Sequence, residues 1–192
     1  MKKYVFILAV MASGFLFTGC GYNTMVEMDE AVTSQWSQVE NVYQRRADLI
    51  PNLVATVKGY AEHEQETLTG VIEARSQATS VKIDPSEMTP EAIRQFEQAQ
   101  EGLKSALGRL MVVVERYPDL KANQNFLDLQ AQLEGTENRI TVERMKFNET
   151  TQKYNAYIRK FPALIIAKIF GFRSRPYFEA QSGAQTAPQV QF

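Results

Sequence analysis

The sequence is poor in the residues that carry most enzyme chemistry. Its 192 residues include one cysteine, Cys20, and one histidine, His63. A single cysteine excludes an intramolecular disulfide. A single histidine excludes the paired Glu-x-x-His sites of metal-binding bundles, and no cluster of His or Cys supplies zinc ligands. His63, flanked by Glu62 and Glu64, reads as an exposed turn residue. There is no Gly-rich phosphate cradle and no Gly-x-Ser-x-Gly elbow, so nucleophilic catalysis lacks both its loop and its base. Carboxylates are plentiful, but no pair stands apart from ordinary helix-face charges. The expectation is a protein that is not an enzyme and holds no cofactor or metal. An excess of charge is also missing: 21 Lys and Arg face 22 Asp and Glu. That balance argues against nucleic acid, whose phosphates demand a basic surface. No strand-like alternation or hairpin dipeptide occurs anywhere.

Long apolar runs are limited to the N-terminus. After Lys2 and Lys3 the chain is apolar from Tyr4 to Phe17, interrupted by Ser13 and Gly14, and then reads Thr18-Gly19-Cys20-Gly21. A basic start, an apolar stretch and a small residue before the cut form an export signal. As a helix the stretch covers roughly 20 Å, short of a hydrocarbon core of roughly 30 Å. The segment resembles a bacterial lipobox, with Phe17 where Leu is usual, in which Cys20 receives a lipid and becomes the mature N-terminus. The other reading is an uncleaved apolar anchor with an incidental cysteine. Both attach the chain to a membrane, and Lys2 and Lys3 orient the bulk outward, to the periplasm or cell exterior. Cleavage before Cys20 leaves 173 residues with 19 basic and 22 acidic side chains. We therefore divide the chain into a signal or anchor segment (1–19), one helical domain (20–180) and a tail (181–192) whose Gln, Ala, Pro, Gly and Ser predict disorder.

Four apolar stripes lie between. Segment A, about Met28 to Tyr60, repeats Val32, Trp36, Val39, Tyr43, Ile50, Leu53, Val57 and Tyr60 at helical spacing, and Pro51 predicts a kink near Asp48. Segment B, about Glu64 to Val81, carries Leu68, Val71, Ile72, Arg75 and Ala78. A and B are either one helix or two, with Gly59 to His63 the best place for a reversal. The turn-rich Lys82 to Pro90 follows. Segment C starts with Thr89 as N-cap and Pro90 at the first helical position, then carries Ile93, Phe96, Gln100, Leu103, Leu107, Leu110, Val114 and Tyr117 in a heptad seam ended by Pro118. Segment D, capped by Asn123 or Asn125, runs from Phe126 to Phe161. The expected fold is all-α, an antiparallel four-helix bundle with A and D its long members.

Where the stripes lack apolar residues they carry Arg46 on A, Gln100 on C, and Glu137 and Arg144 on D. A charge facing a core is costly unless paired. Glu137 is therefore expected to meet Arg46 or Arg144 and to fix helix register. Past Pro162, Ala163 to Phe172 is too apolar to be left in water: it either caps the bundle or forms a contact patch for membrane or partner.

The blocks Gly21-Tyr22-Asn23, Arg45 to Leu53 (RRADLIPNL), Val57 to Glu64 (VKGYAEHE), Tyr117 to Ala122 (YPDLKA), Glu137-Asn138-Arg139-Ile140, Tyr154-Asn155, Phe161-Pro162, Phe170-Gly171-Phe172 and Tyr177-Phe178-Glu179 occur in order. Together they resemble the LemA family over about residues 21–179. The resemblance implies a tethered up-and-down four-helix bundle with no established activity or cofactor, and it supplies no catalytic residues. Its members look like single-pass membrane proteins, whereas this anchor ends in a lipobox-like Cys20. The expected role is a non-catalytic scaffold or adaptor for another envelope protein. Its candidate contact residues are Arg45, Asp48 and Asn52, unless these merely cap and salt-bridge around the kink, and Phe170, Phe172, Tyr177 and Phe178. The alternative is direct shaping or stabilising of the bilayer through Ala163 to Phe172. Partner identity and oligomeric state are not written in the sequence.

Overall fold

The computed structural model describes the backbone of residues 2–179 and side chains from Gly21 onward. The tail expected at 181–192 and the side chains of the 1–19 segment and Cys20 lie outside the described residues. Among those described the protein is all-helical, without a strand: α1 (Lys2–Lys58), α2 (Gln65–Ser80), α3 (Pro90–Val114), α4 (Pro118–Lys121), α5 (Gln124–Ile158) and α6 (Ala163–Phe170), with a 3₁₀ turn at Pro85–Glu87.

Local chemistry sets several of the ends. The Thr89 hydroxyl accepts from the Ala92 amide with Pro90 in the first turn, and the Asn123 side chain accepts from the Phe126 amide. Each satisfies an amide that the first helical turn leaves without a partner. Segments A and B are two helices, separated by a turn over 59–64 that holds the exposed His63. Gly171 ends α6 in the left-handed region (φ 78°), and the Phe172 amide donates back to the Ala167 carbonyl. This helix stop favours glycine. Beyond it, residues 172–179 run without helix back along the molecule.

Pro51 does not end the helix: α1 continues to Lys58. A proline at 51 has no amide to offer the carbonyl four residues earlier, at Ala47. Arg75 of α2 supplies the missing donor, its Nε lying 2.7 Å from the Ala47 oxygen.

Contacts pair rising numbers on α1 with falling numbers on α5 (Gln35 with Glu143, Arg46 with Glu137) and likewise for α2 and α3, where Ala78 meets Gln100 and Glu64, just before α2, meets Tyr117, just past the end of α3. Each of these helix pairs therefore runs antiparallel. The core divides into two apolar clusters. One gathers Trp36, Tyr43, Phe96, Ile140, Phe147 and Phe178 from α1, α3, α5 and the returning segment. The other gathers Ile50, Leu53, Leu68, Val71, Leu103, Leu110 and Phe126. Trp36 is fully buried, edge-on to Phe96 and Phe147 and stacked on Phe178 at 5.8 Å.

Some stripe positions fall outside the core. Ile72 and Tyr60 are exposed, and Phe161 is 82% exposed because α5 ends at Ile158, before it. Val114 rather than Pro118 is the last residue of α3, and Pro118 opens the short α4.

Candidate functional site

The gaps in the apolar stripes of α1, α3 and α5 meet in one layer between the two clusters. Arg46, 4% exposed, donates from Nη1 to Glu137 at 2.8 Å and from Nη2 to the Gln100 side-chain oxygen at 2.8 Å and to the Gln100 carbonyl. Gln100 in turn donates to the Ala78 carbonyl of α2 at 3.0 Å. Lys104 of α3 meets the other oxygen of Glu137 at 3.1 Å. The belt thus runs across α2, α3, α1 and α5. Glu137 itself sits at the rim, its side chain 36% exposed, rather than inside. Burial would raise its carboxyl, but the Lys104 hydrogen bond and the charges of Arg46 and Lys104 more than offset this and hold it below the usual range.

Arg144 does not join Glu137. It pairs with Glu97 of α3, lies over the Phe178 ring at 4.5 Å and donates to the Glu179 carbonyl. These groups line a cleft of about 440 Å³ between α1, α3, α5 and the returning segment. Glu97 is raised, chiefly by burial, with Arg144 acting against the rise. A raised and a lowered carboxyl in one cleft is an arrangement that acid–base enzymes use. Here each is already held by a cation, Glu97 by Arg144 and Glu137 by Arg46 and Lys104. Among the described residues no three His, Cys, Asp or Glu side chains group as a metal site.

The expected contact residues separate into two kinds. Arg45, Asp48 and Asn52 lie exposed on one face of α1, with Asp48 accepting from Gln44 at 2.7 Å. Phe170 is 60% exposed and Tyr177 is exposed, while Phe172 is partly packed. Phe178 corrects the sequence reading: at 4% exposure it is a core residue, because the returning segment seats its ring on Trp36 and Phe147. Two asparagines hold that segment. Asn148 takes both the amide and the carbonyl of Phe178, and Asn155 takes both from Arg175. The Tyr154 hydroxyl donates to the Arg173 carbonyl, and its pKa is pushed up to about 12 by burial and by the nearby Asp29. Arg175 bridges to Asp29 of α1. Sequence reasoning missed these clamps. Their only signal was the recurrence of Tyr154-Asn155 and Tyr177-Phe178-Glu179 among the family-like blocks.

Among the described residues no helix is long and apolar enough to cross a membrane. The geometry defines an all-helical protein whose buried polar groups link one helix to the next. By its sequence the chain belongs to the LemA family, whose pattern it matches over residues 35–192. It is 29% identical to magnetosome protein MamQ of Magnetospirillum gryphiswaldense, over 88% of this chain and 70% of that one. Magnetosome protein MamQ 2 of Paramagnetospirillum magneticum is 28% identical, over 86% and 67%, and protein LemA of Metamycoplasma hominis 22%, over 91% and 76%. None of these names denotes a reaction.

Proposed function

We propose that this protein is a non-catalytic scaffold: an up-and-down four-helix bundle of α1, α2, α3 and α5, tethered to a bacterial envelope membrane by its N-terminal segment, with a lipid on Cys20, that presents a helical face to another envelope protein. The observation that supports it is the pairing of most of the cleft's charges. Arg46 and Lys104 are tied to Glu137 and Arg144 to Glu97, each across helices, while Glu101 and Glu179 also line the cleft; such cross-helix pairs favour a register-fixing over a catalytic role. The apolar Tyr4 to Phe17 run and the lipobox-like end at Cys20 support the tether. Two of the relatives are named for a structure, the magnetosome, rather than for a reaction.

The partner-facing surface in this reading is the α1 face of Arg45, Asp48 and Asn52, exposed and clear of the core. Photo-crosslinkers placed singly at these positions in intact cells test it. The expected outcome is one discrete crosslinked protein at all three positions, with the crosslink from position 52 lost when Arg45→Glu and Asp48→Lys are combined. Crosslinks no stronger than those from exposed positions on α2, such as Glu73, would sink the adaptor reading.

A further inference from the structure

The acidic and basic side chains, balanced over the whole chain, are not balanced along it. Between Glu149 and Glu179 there is no Asp or Glu, while Lys153, Arg159, Lys160, Lys168, Arg173 and Arg175 all fall there. Arg175 is neutralised by Asp29, but the other five make no ion pair among the described residues. Four of the five, Lys153, Lys160, Lys168 and Arg173, also make no side-chain hydrogen bond there; all five are exposed.

The same end carries an apolar face that the described residues leave largely exposed. Helix α6 buries Ala163, Ile166 and Ala167 against α1 and α5, yet it is apolar on its other side too. Ile169 is 71% exposed and Phe170 60%, with Ile165 and the preceding Phe161 also open to solvent. A helix apolar on its outer side as well, Lys168 apart, belongs against another apolar phase.

Its position identifies that phase. Tyr22 packs on Phe170 at 4.8 Å and on Phe172 at 5.7 Å. Gly21 comes so close to α6 that a Cβ there would lie 2.9 Å from Ile166 Cδ1. The apolar face and the unpaired basic groups therefore flank the point where α1 leaves the helices toward Cys20, the tether point. We infer that this basic, aromatic end, built on α6, seats in the headgroup layer of an anionic bilayer, with Phe161, Ile165, Ile169 and Phe170 below the phosphates and Lys160, Lys168 and Arg173 among them. Apolar insertion and attraction to anionic lipid add in such helices. The inference rests on the tether reading above and names the lipid chemistry the tethered end meets.

Full-length protein reconstituted into vesicles tests it through fluorescence. The single native tryptophan, Trp36, is fully buried and serves as the blank. Ile169→Trp adds an indole at an exposed position, with circular dichroism to check that helix content is kept. In vesicles of phosphatidylglycerol and phosphatidylcholine brominated on their acyl chains, the introduced indole is expected to be quenched several-fold more than the wild-type signal. In brominated phosphatidylcholine alone, and in a Lys160→Glu/Lys168→Glu background, quenching should fall toward the wild-type level. Flotation of the protein with the vesicles reads the tether separately. Flotation without extra quenching overturns the seat and leaves the tether standing, whereas failure to float overturns both. Equal quenching with and without phosphatidylglycerol overturns the anionic-lipid assignment. Shielding from aqueous iodide without bromine quenching assigns the face to a protein and overturns it as well.

Discussion

At Arg46 a guanidinium in the middle of an apolar stripe is reconciled with its surroundings by four acceptor or aromatic contacts from three helices: Glu137, the side chain and carbonyl of Gln100, and the Tyr43 ring at 5.1 Å. Removing one partner of a buried pair costs far more than the pair contributes, because the survivor is left without compensation. Arg46→Ala should lower unfolding stability by about 3 kcal/mol, toward the bottom of the range for buried pairs because Glu137 keeps Lys104. Chemical denaturation measures it. Glu137→Gln should act through pH. The folded-state pKa of Glu137 lies below its ordinary value of 4.5, so its contribution is present above that value and is lost as pH falls through the folded pKa. The variant should therefore show a flatter loss of stability on the acid side than the wild type. Identical acid limbs would contradict the ion pair.

These belt residues were legible because a polar residue interrupting a 3.6-residue apolar pattern is conspicuous. Their partners were less so. Gln100 and Glu137 fall in the layer of Arg46, but Arg144, one heptad beyond Glu137, reaches Glu97, an ordinary-looking helix-face glutamate. Periodicity places a residue on a face. It does not say which long side chain from a neighbouring helix will meet it.

At the scale of the element, Arg75 explains how a proline is tolerated within α1. An interior proline costs about 3 kcal/mol or more, from ring crowding and from leaving the carbonyl four residues back without a donor. The Arg75 Nε bond to Ala47 provides one from another helix, and it also ties α2 to α1. A double-mutant cycle should expose the coupling. Arg75→Ala in the native background is expected to cost about 2 kcal/mol, as for a hydrogen bond from a charged donor. In a Pro51→Ala background the restored amide can bond Ala47, and the cost of Arg75→Ala should fall below half of that. Equal costs in both backgrounds would show that Arg75 stabilises α2 for some other reason. The sequence shows the proline but not the geometry that brings α2 alongside. The caps at Thr89 and Asn123 were readable for the opposite reason: a cap is local, with donor and acceptor three residues apart.

The returning segment 172–179 shows the same limit. Its aromatic residues look alike in sequence, yet Phe178 lies in the core and Tyr177 at the surface. An extended segment turns alternate side chains to opposite sides, so its neighbours, not its composition, decide which is buried.

Across the whole molecule, two apolar clusters, a polar belt between them and a basic, apolar end beside Gly21 give the protein a direction. One end lies beside Gly21, and the helices extend away from it. Both the scaffold role and the seat on anionic lipid require that the chain be held at a membrane at Cys20. The most direct measurement is the intact mass of the protein extracted from the membrane fraction of its own cells, alongside fractionation of Cys20→Ser. The expected result is a membrane-bound chain that has lost residues 1–19 and carries a diacylglyceryl mass on Cys20, with Cys20→Ser retaining residues 1–19. A wild-type chain recovered from the soluble fraction, without lipid, would contradict it.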